Sequence, residues 1–339
     1  MINKSDLERI DTKLMYQTYD KWPEIAESSY NSELQKIDLE EIGDFVFVGM
    51  GGSGAINELF SSLLTKSKIH VSVVKGYHLP KTVNSKTLVV ATSVSGNTDE
   101  TLSVLDNAVN EKCKIICFSS GGKMEDYCTR KNISFRKIPI HNSPRASLVA
   151  YFYSILRVLE PVLPIKKTEI DESIEILKEM RNKISYHNLQ LSNPAIELAN
   201  WITDIPIIYY PWGLQTSATR FKNALQENAK MHAMAEDILE ACHNGIVSWE
   251  RPSTIKPILI EGKDDYIKTK ERWVVLKKYF EKNNIEYKEI FSVEGNIISK
   301  LISLIYFFDY TSIYRSILSK IDPTPVKSID FIKDKKNYL

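Results

Sequence analysis

Short apolar, β-branched runs recur along the chain, separated by glycine- and hydroxyl-rich turns and by stretches of helical spacing. Asp44-Phe-Val-Phe-Val-Gly49 reads as a strand, Met50-Gly-Gly-Ser-Gly54 as a loop, and a helix follows through Leu64. The unit repeats with strands at Ile69 to Val74 and Thr87 to Thr92. After the second comes Ala91-Thr-Ser-Val-Ser-Gly-Asn-Thr-Asp-Glu100, then a helix to Asn110 carrying Leu102, Leu105, Ala108 and Val109 at helical spacing. Lys114 to Phe118 is a further strand, closed by Ser119-Ser-Gly-Gly122, which opens one more helix. Leu148 to Leu159 reads as a buried helix stopped by Pro161 and Pro164. Strands alternating with helices predict an α/β fold with doubly wound parallel sheets, whose ligands sit outside the strand carboxyl ends.

The alternation resumes further on. Ile205 to Tyr210 is a strand, Pro211-Trp-Gly213 a turn, and a helix is predicted over 216–236. Pro257 to Ile260 and Tyr287 to Phe291 are strands, with helices over 266–282 and 296–318. Residues 1–37 predict a helical N-terminal arm that Trp22-Pro23 interrupts, and the charged, helical 166–189 a connector. The two α/β halves then span 38–165 and 190–339, and the tail, Asp322-Pro-Thr-Pro-Val, leads into a short lysine-rich helix.

Composition narrows the function classes. The 339 residues carry a net charge of +1, which argues against a dedicated nucleic-acid surface or an anionic-membrane binder. No apolar run reaches the ~20 residues of a membrane span, and the N-terminus lacks the apolar core of a signal peptide. Cys113, Cys117, Cys128 and Cys242 have no zinc-ligand spacing and read as reduced thiols, and the six histidines are scattered. The expectation is a cytoplasmic protein with no metal and no cofactor.

Two loops carry candidate chemistry. Strand, hydroxyl-rich turn and helix at 87–110 present free backbone N–H groups and a positive dipole end to an anion. Ser93, Ser95 and Thr98 add neutral donors, and Gly96 permits close approach. The stretch reads equally as a capped helix start, with Asn97 or Thr98 capping and Asp99 and Glu100 in the first turn. Gly49-Met-Gly-Gly-Ser-Gly54 lacks the spacing and the downstream acid of a dinucleotide fingerprint. It reads either as a turn packing a helix on a strand or as a small open pocket in which Gly52 leaves room and Ser53 donates.

Gly49 to Gly54, Ser93 to Thr101, Ser119 to Gly122 and Pro144-Arg-Ala-Ser147 together resemble the sugar isomerase (SIS) fold. More narrowly, the chain resembles the archaeal-type bifunctional phosphoglucose/phosphomannose isomerases, through Arg220 to Lys230, Cys242-His-Asn244 and Asp322-Pro-Thr-Pro-Val with Lys333 downstream. The resemblance covers roughly 40–339 and implies two SIS-type subdomains, the first seating phosphate and the second carrying the catalytic and C-terminal helices. It places the substrate phosphate on Ser53, Ser93, Ser95 and Thr98; Gly52 is a further substrate-binding candidate, and Thr324 reads either as orienting a water or hydroxyl or simply as part of a Pro-Thr-Pro turn. Arg145 would offset enediolate charge, Glu227 would move a proton between C1 and C2, His243 would open the ring, and Lys333 would close the site. The family's histidine comes from a neighbouring subunit, which implies a homodimer acting on a phosphorylated hexose.

The chemistry suits these types. One carboxylate removes and returns the proton of an aldose–ketose isomerisation, a fixed guanidinium steadies the enediolate, and histidine titrates near neutrality. In the predicted helix Ala224, Glu227, Met231 and Ala235 share one face, and the plain alternative pairs Glu227 with Lys222 or Lys230. Glu227 and His243 are sixteen residues apart, ~24 Å along one unbroken helix, so the chain folds back or a second subunit supplies one of them.

The chain departs from the family pattern in three places. Gly245 stands where a glutamate usually follows His-Asn, Ile56-Asn-Glu58 replaces the usual Gly-Asp, and Ser93-Val-Ser95 replaces Ser-Tyr-Ser. Three functions compete: an isomerase of glucose or mannose 6-phosphate to fructose 6-phosphate, a non-catalytic sugar-phosphate sensor, and an isomerase of another sugar phosphate. Arg145, Glu227 and His243 together favour catalysis, because a sensor needs no base at C2.

Overall fold

The computed structural model describes residues 2–39 and 41–335. Three short helices open the chain, α1 (Lys4–Ile10), α2 (Met15–Asp20) and α3 (Trp22–Tyr30). Trp22-Pro23 begins α3 rather than breaking a helix, because proline fits the first helical turn, where no intrahelical N–H bond is lost. The Trp22 indole is buried and donates to the Ala146 carbonyl at 2.9 Å, fastening the arm to the body.

The first α/β unit runs β1 (Asp44–Val48), α4 (Gly51–Leu64), β2 (His70–Val74), β3 (Thr87–Ser93), α5 (Asp99–Asn110), β4 (Lys114–Ser119), α6 (Gly122–Lys131) and β5 (Ser134–Lys137). Helix α7 (Leu148–Leu159) follows, then α8 (Lys167–Ile184) and α9 (Pro194–Trp201). The second unit runs β6 (Pro206–Tyr210), α10 (Gln215–Asn228), β7 (Met234–Asp237), α11 (Ile238–Ala241), a 3₁₀ turn at Gly245–Glu250, β8 (Lys256–Glu261), α12 (Ile267–Lys282) and β9 (Lys288–Phe291). It ends with α13 (Ile297–Leu318) and α14 (Lys327–Lys335).

All pairings are parallel, in the orders β2-β1-β3-β4-β5 and β7-β6-β8-β9. Strand alternation sends Phe45, Phe47, Leu88 and Val90 to one face of the first sheet and Val46, Val48, Val89 and Ala91 to the other. In the second sheet Ile208, Ile258 and Ile260 face inward, into the same apolar cluster as the first set. Helices α7, α10 and α13 fill the space between. Helix α13 is apolar almost all round and packs on α8, α9 and α10, as expected of a helix enclosed on every side. In the first sheet the winding reverses between β1 and β3, which sets the loop after each strand side by side at a topological switch point.

Four elements differ from the sequence reading. The glycine stretch is mostly helix, since α4 already starts at Gly51. Edge strand β5 emerges from a short, mostly polar stretch, and helix α9 from a short apolar one started by the Asn193 cap. The helix predicted over 216–236 stops at Asn228: Lys230 is left-handed (φ 54°), and the chain turns into β7 beside β6. The Ala224-Glu227-Met231-Ala235 face therefore does not exist as one stripe; Ala235 instead pairs with Ile208 across the sheet.

Candidate active site

The site begins at the switch point. Met50 caps α4 without a side-chain bond, and Ser53, buried in the first turn, accepts the Val94 N–H at 3.1 Å. The two loops thereby lock together. Val94 packs into the core, which is what the valine between the two serines does here. Ser93 and Thr98 hydroxyls are bonded to each other at 2.9 Å, so Thr98, although it occupies the N-cap of α5, makes no capping bond. Asn97 is also occupied elsewhere, donating to the Ser95 carbonyl at 3.0 Å and accepting from Lys123 N at 3.1 Å. The helix start is the one the capped reading expects, with Thr98 at the N-cap and Asp99 and Glu100 in the first turn, but without a side-chain capping bond. Ser95 is exposed at the mouth, its hydroxyl accepting the Asn97 N–H at 3.3 Å.

Gly96 is required where it stands. Its φ is +71°, and a Cβ there would lie 1.7 Å from the Gly121 carbonyl oxygen. This tight seam is tied further by Ser120 Oγ to the Val94 carbonyl (2.7 Å) and Met124 N to the Gly96 carbonyl (2.9 Å). Gly52 faces the other way, and a Cβ there would meet Pro144 and Arg145 backbone at 3.4–3.5 Å. The first turn of α4 therefore lies directly against the turn that carries Arg145.

Arg145 is buried and its guanidinium is held on two sides. Nε donates to Asn228 Oδ1 at 2.7 Å, and NH2 donates to the Pro323 and Thr324 carbonyls at 2.7 and 2.9 Å. NH1 faces Glu227, 3.6 Å from Oε2. The ionic partner of Glu227 is therefore Arg145, neither Lys222 nor Lys230. Glu227 sits in the last turn of α10 with a quarter of its side chain exposed, facing a cavity of about 860 Å³. That cavity is lined also by Gly51, Asn223, Gln226, Lys230, His232 and the start of α14 from Lys327 to Ile329. Thr324 contributes its carbonyl to Arg145, and its hydroxyl is buried without a hydrogen-bond partner among the described residues.

A supporting layer fixes this pair. Asn228 Nδ2 donates to Ser312 Oγ at 2.8 Å, whose own hydroxyl donates to the Asp309 carbonyl. Arg220 makes a two-pronged buried bond to Asp309 (3.0 and 2.6 Å) and donates to the Arg145 carbonyl at 2.8 Å. Burial pushes the Asp309 carboxyl up while Arg220 pulls it back; burial opposes the Arg220 charge, and Asp309 more than offsets this. Lys230 donates to the carbonyls of Glu227 (2.6 Å), Asp322 (3.1 Å) and Pro323 (2.9 Å), pinning the tail to the end of α10. Burial, then the Arg145 charge, lower its pKa to about 8.

Ser53, Gly52, Arg145, Glu227 and Thr324 thus form one connected patch, with Ser93, Ser95 and Thr98 adjoining it through the Ser53–Val94 bond. Two expected residues do not join it. His243 is exposed on the turn after α11, its N–H bonded to the Glu240 carbonyl at 2.9 Å, and it does not line the cavity. Lys333 is exposed on the second turn of α14, whose first turn alone lines the cavity among the described residues. Asn228, Arg220 and Asp309 are residues that sequence reasoning left without a role, and Lys230, read there only as a partner for Glu227, instead pins the tail. The one usable signal was Asp309, a lone acid in a 22-residue apolar helix.

Residues 191–335 match the family described as the bacterial phospho-glucose isomerase C-terminal SIS domain. Among solved structures, the C-terminal domain of glucosamine-fructose-6-phosphate aminotransferase from Francisella tularensis superposes with a TM-score of 0.69 at 17% identity, over 92% of this chain and 98% of that one. Fold and site together define a sugar-phosphate isomerase of the SIS class. A curated bifunctional phosphoglucose/phosphomannose isomerase of Caldicellulosiruptor bescii is 32% identical over 95% of this chain and 98% of its own length. One of Aquifex aeolicus is 31% identical over 91% and 96%. The chain belongs to the bifunctional phosphoglucose/phosphomannose isomerase family.

Proposed function

We propose that the protein interconverts glucose 6-phosphate and mannose 6-phosphate with fructose 6-phosphate through an enediolate, without a metal or cofactor. The single observation that carries this reading is the fixed guanidinium of Arg145 set 3.6 Å from the Glu227 carboxylate at the wall of an open cavity. The phosphate rests on Ser53, Ser93, Ser95, Thr98 and the start of α5, where neutral donors and the helix end offset its charge. Gly52 leaves room for the sugar and Thr324 contacts it. Glu227 takes the proton from C2 of the open-chain aldose and returns it to C1, while a hydroxyl proton passes between O2 and O1. Arg145 steadies the oxyanion, and because its other donors are already bound it does so with little reorganisation.

His243 opens the ring from the neighbouring copy of a homodimer. Its exposure, beside the equally exposed Leu239 and Val247, supports an origin across an interface. Lys333 closes the site from α14. The chain divides into an arm (1–37), two SIS subdomains (38–165, 190–339) and a connector (166–189), and works in the cytoplasm; among the described residues no helix is long and apolar enough to cross a membrane. The test is turnover of fructose 6-phosphate in deuterated water. Deuterium at C2 of the aldose is expected from wild type and absent from Glu227→Gln; exchange surviving in that variant would remove the base. Epimer composition of the product tests the dual specificity.

A further inference from the structure

The N-terminal arm reaches both structures that hold Arg145. One is the turn that carries the arginine. There the buried Trp22 indole, stacked on Tyr306, donates to the Ala146 carbonyl at 2.9 Å, and Asn142 Nδ2 donates to the Lys13 carbonyl at 2.7 Å. The other is the tail, whose Pro323 and Thr324 carbonyls receive the guanidinium. Asp322 fixes that tail: its Oδ1 accepts the Thr324 N–H at 3.0 Å, and its Oδ2 accepts the Thr12 hydroxyl at 2.5 Å. Lys230 grips the same segment from the end of α10, so the tail is held from two sides. The arm is itself anchored on α13, where Tyr306 and Tyr310 donate to the Tyr19 and Tyr16 carbonyls at 2.8 and 3.3 Å. Tyr19 is fully buried beside the Asp309–Arg220 pair: burial and then the Asp309 charge push its phenol up, while the Arg220 and Arg145 charges pull it back.

We propose that the N-terminal arm is a positioning element for Arg145, in which Trp22 fixes the turn that carries the guanidinium and Thr12 fixes the tail that receives it. This rests on the reading of Arg145 as the group that steadies the enediolate. A rigid arm bonded to both sides sets the distance between the arginine backbone and its two carbonyl acceptors, and so the direction in which NH1 points toward Glu227. The arm then serves the reaction without touching the substrate.

Thr12→Val keeps the shape of an exposed side chain and removes only its donor, and Trp22→Phe keeps a ring in the core while removing the indole N–H. Since misplacing a catalytic group by about 1 Å costs up to about 10²-fold, each change is expected to lower kcat on fructose 6-phosphate by about three- to tenfold. KM should stay unchanged, because the hydroxyl loop that seats the phosphate is bonded elsewhere. Thr12→Ser retains the hydroxyl and should stay within about twofold of wild type. Both losses are then measured again in an Arg145→Met background. A residue that acts through the guanidinium has nothing left to position there, so no further loss is expected, whereas a general structural role lowers kcat by the same factor in both backgrounds. Thr12→Val and Trp22→Phe as active as wild type, losses confined to KM, or equal losses in the two backgrounds would overturn the proposal. An Arg145→Met protein of full activity would instead overturn the reading of Arg145, so the two failures are told apart.

Discussion

Replacing Arg145 by methionine removes the guanidinium while keeping most of the apolar stem, and its effect can be sized from the structure. NH1 stands 3.6 Å from Glu227 Oε2 and the arginine side chain is 5% exposed. At an effective dielectric of roughly 20, unit charges at that separation attract by about 5 kcal/mol. An enediolate oxygen beside Glu227 would feel a field of similar size, but only the increase in charge between the bound carbonyl and the oxyanion accelerates the step. Taking about half of the Coulomb figure leaves roughly 2–3 kcal/mol, or a loss of about 30- to 150-fold in kcat. Arg145→Lys keeps the charge but cannot reach Asn228 and both tail carbonyls at once, so a smaller loss is expected. The assay is deuterium incorporation at C2 during fructose 6-phosphate turnover, with thermal unfolding run in parallel because the methionine variant leaves the Thr324 carbonyl without its donor and the Pro323 carbonyl with Lys230 alone. If the folded Arg145→Met protein keeps kcat within threefold of wild type, the guanidinium does not stabilise the transition state and the reasoning fails. A change confined to KM would refute it equally, since that marks uniform binding.

Gly96→Ala puts a Cβ into the Gly121 carbonyl at a left-handed backbone position, so the loop must shift. KM for the phosphorylated sugar should rise by about tenfold or more, the equivalent of 1.4 kcal/mol, as read by steady-state kinetics. Arg220→Met leaves Asp309 charged and unpaired in the core, a loss of about 3–5 kcal/mol of stability in denaturant titration; Arg220→Met with Asp309→Leu should regain most of it. Lys230 is charged below about 8 and neutral above, its pKa lying under the ordinary lysine value. Activity should therefore fall as pH rises through about 8, when the ammonium that pins the tail loses its proton and its hold on three carbonyls weakens. Lys230→Met should abolish that limb of the pH profile and lower activity below it; a limb that persists in the variant assigns it to another group.

Much of this protein was settled by features only a few residues long. Alternating apolar runs define strands whatever surrounds them, so β1, β3, β4, β6 and β8 stand where their β-branched residues predict, and α7 is bounded as expected by Leu148 and Leu159. The hydroxyl loop at 93–98 was equally legible, because a strand, a turn and a helix start are local geometry, although the bond between the Ser93 and Thr98 hydroxyls forms only in the folded loop. Other features depended on partners remote in sequence. The 216–236 helix was overextended because Met231 and Ala235 keep helical spacing, and only the place beside β6 turns them into a strand approach. Glu227 finds Arg145 across 82 positions, and Arg220 finds Asp309 across 89, through helices packed between the two sheets. No periodicity encodes such meetings: which charged groups face one another is decided when the layers close and each buried charge must find a partner to remain there.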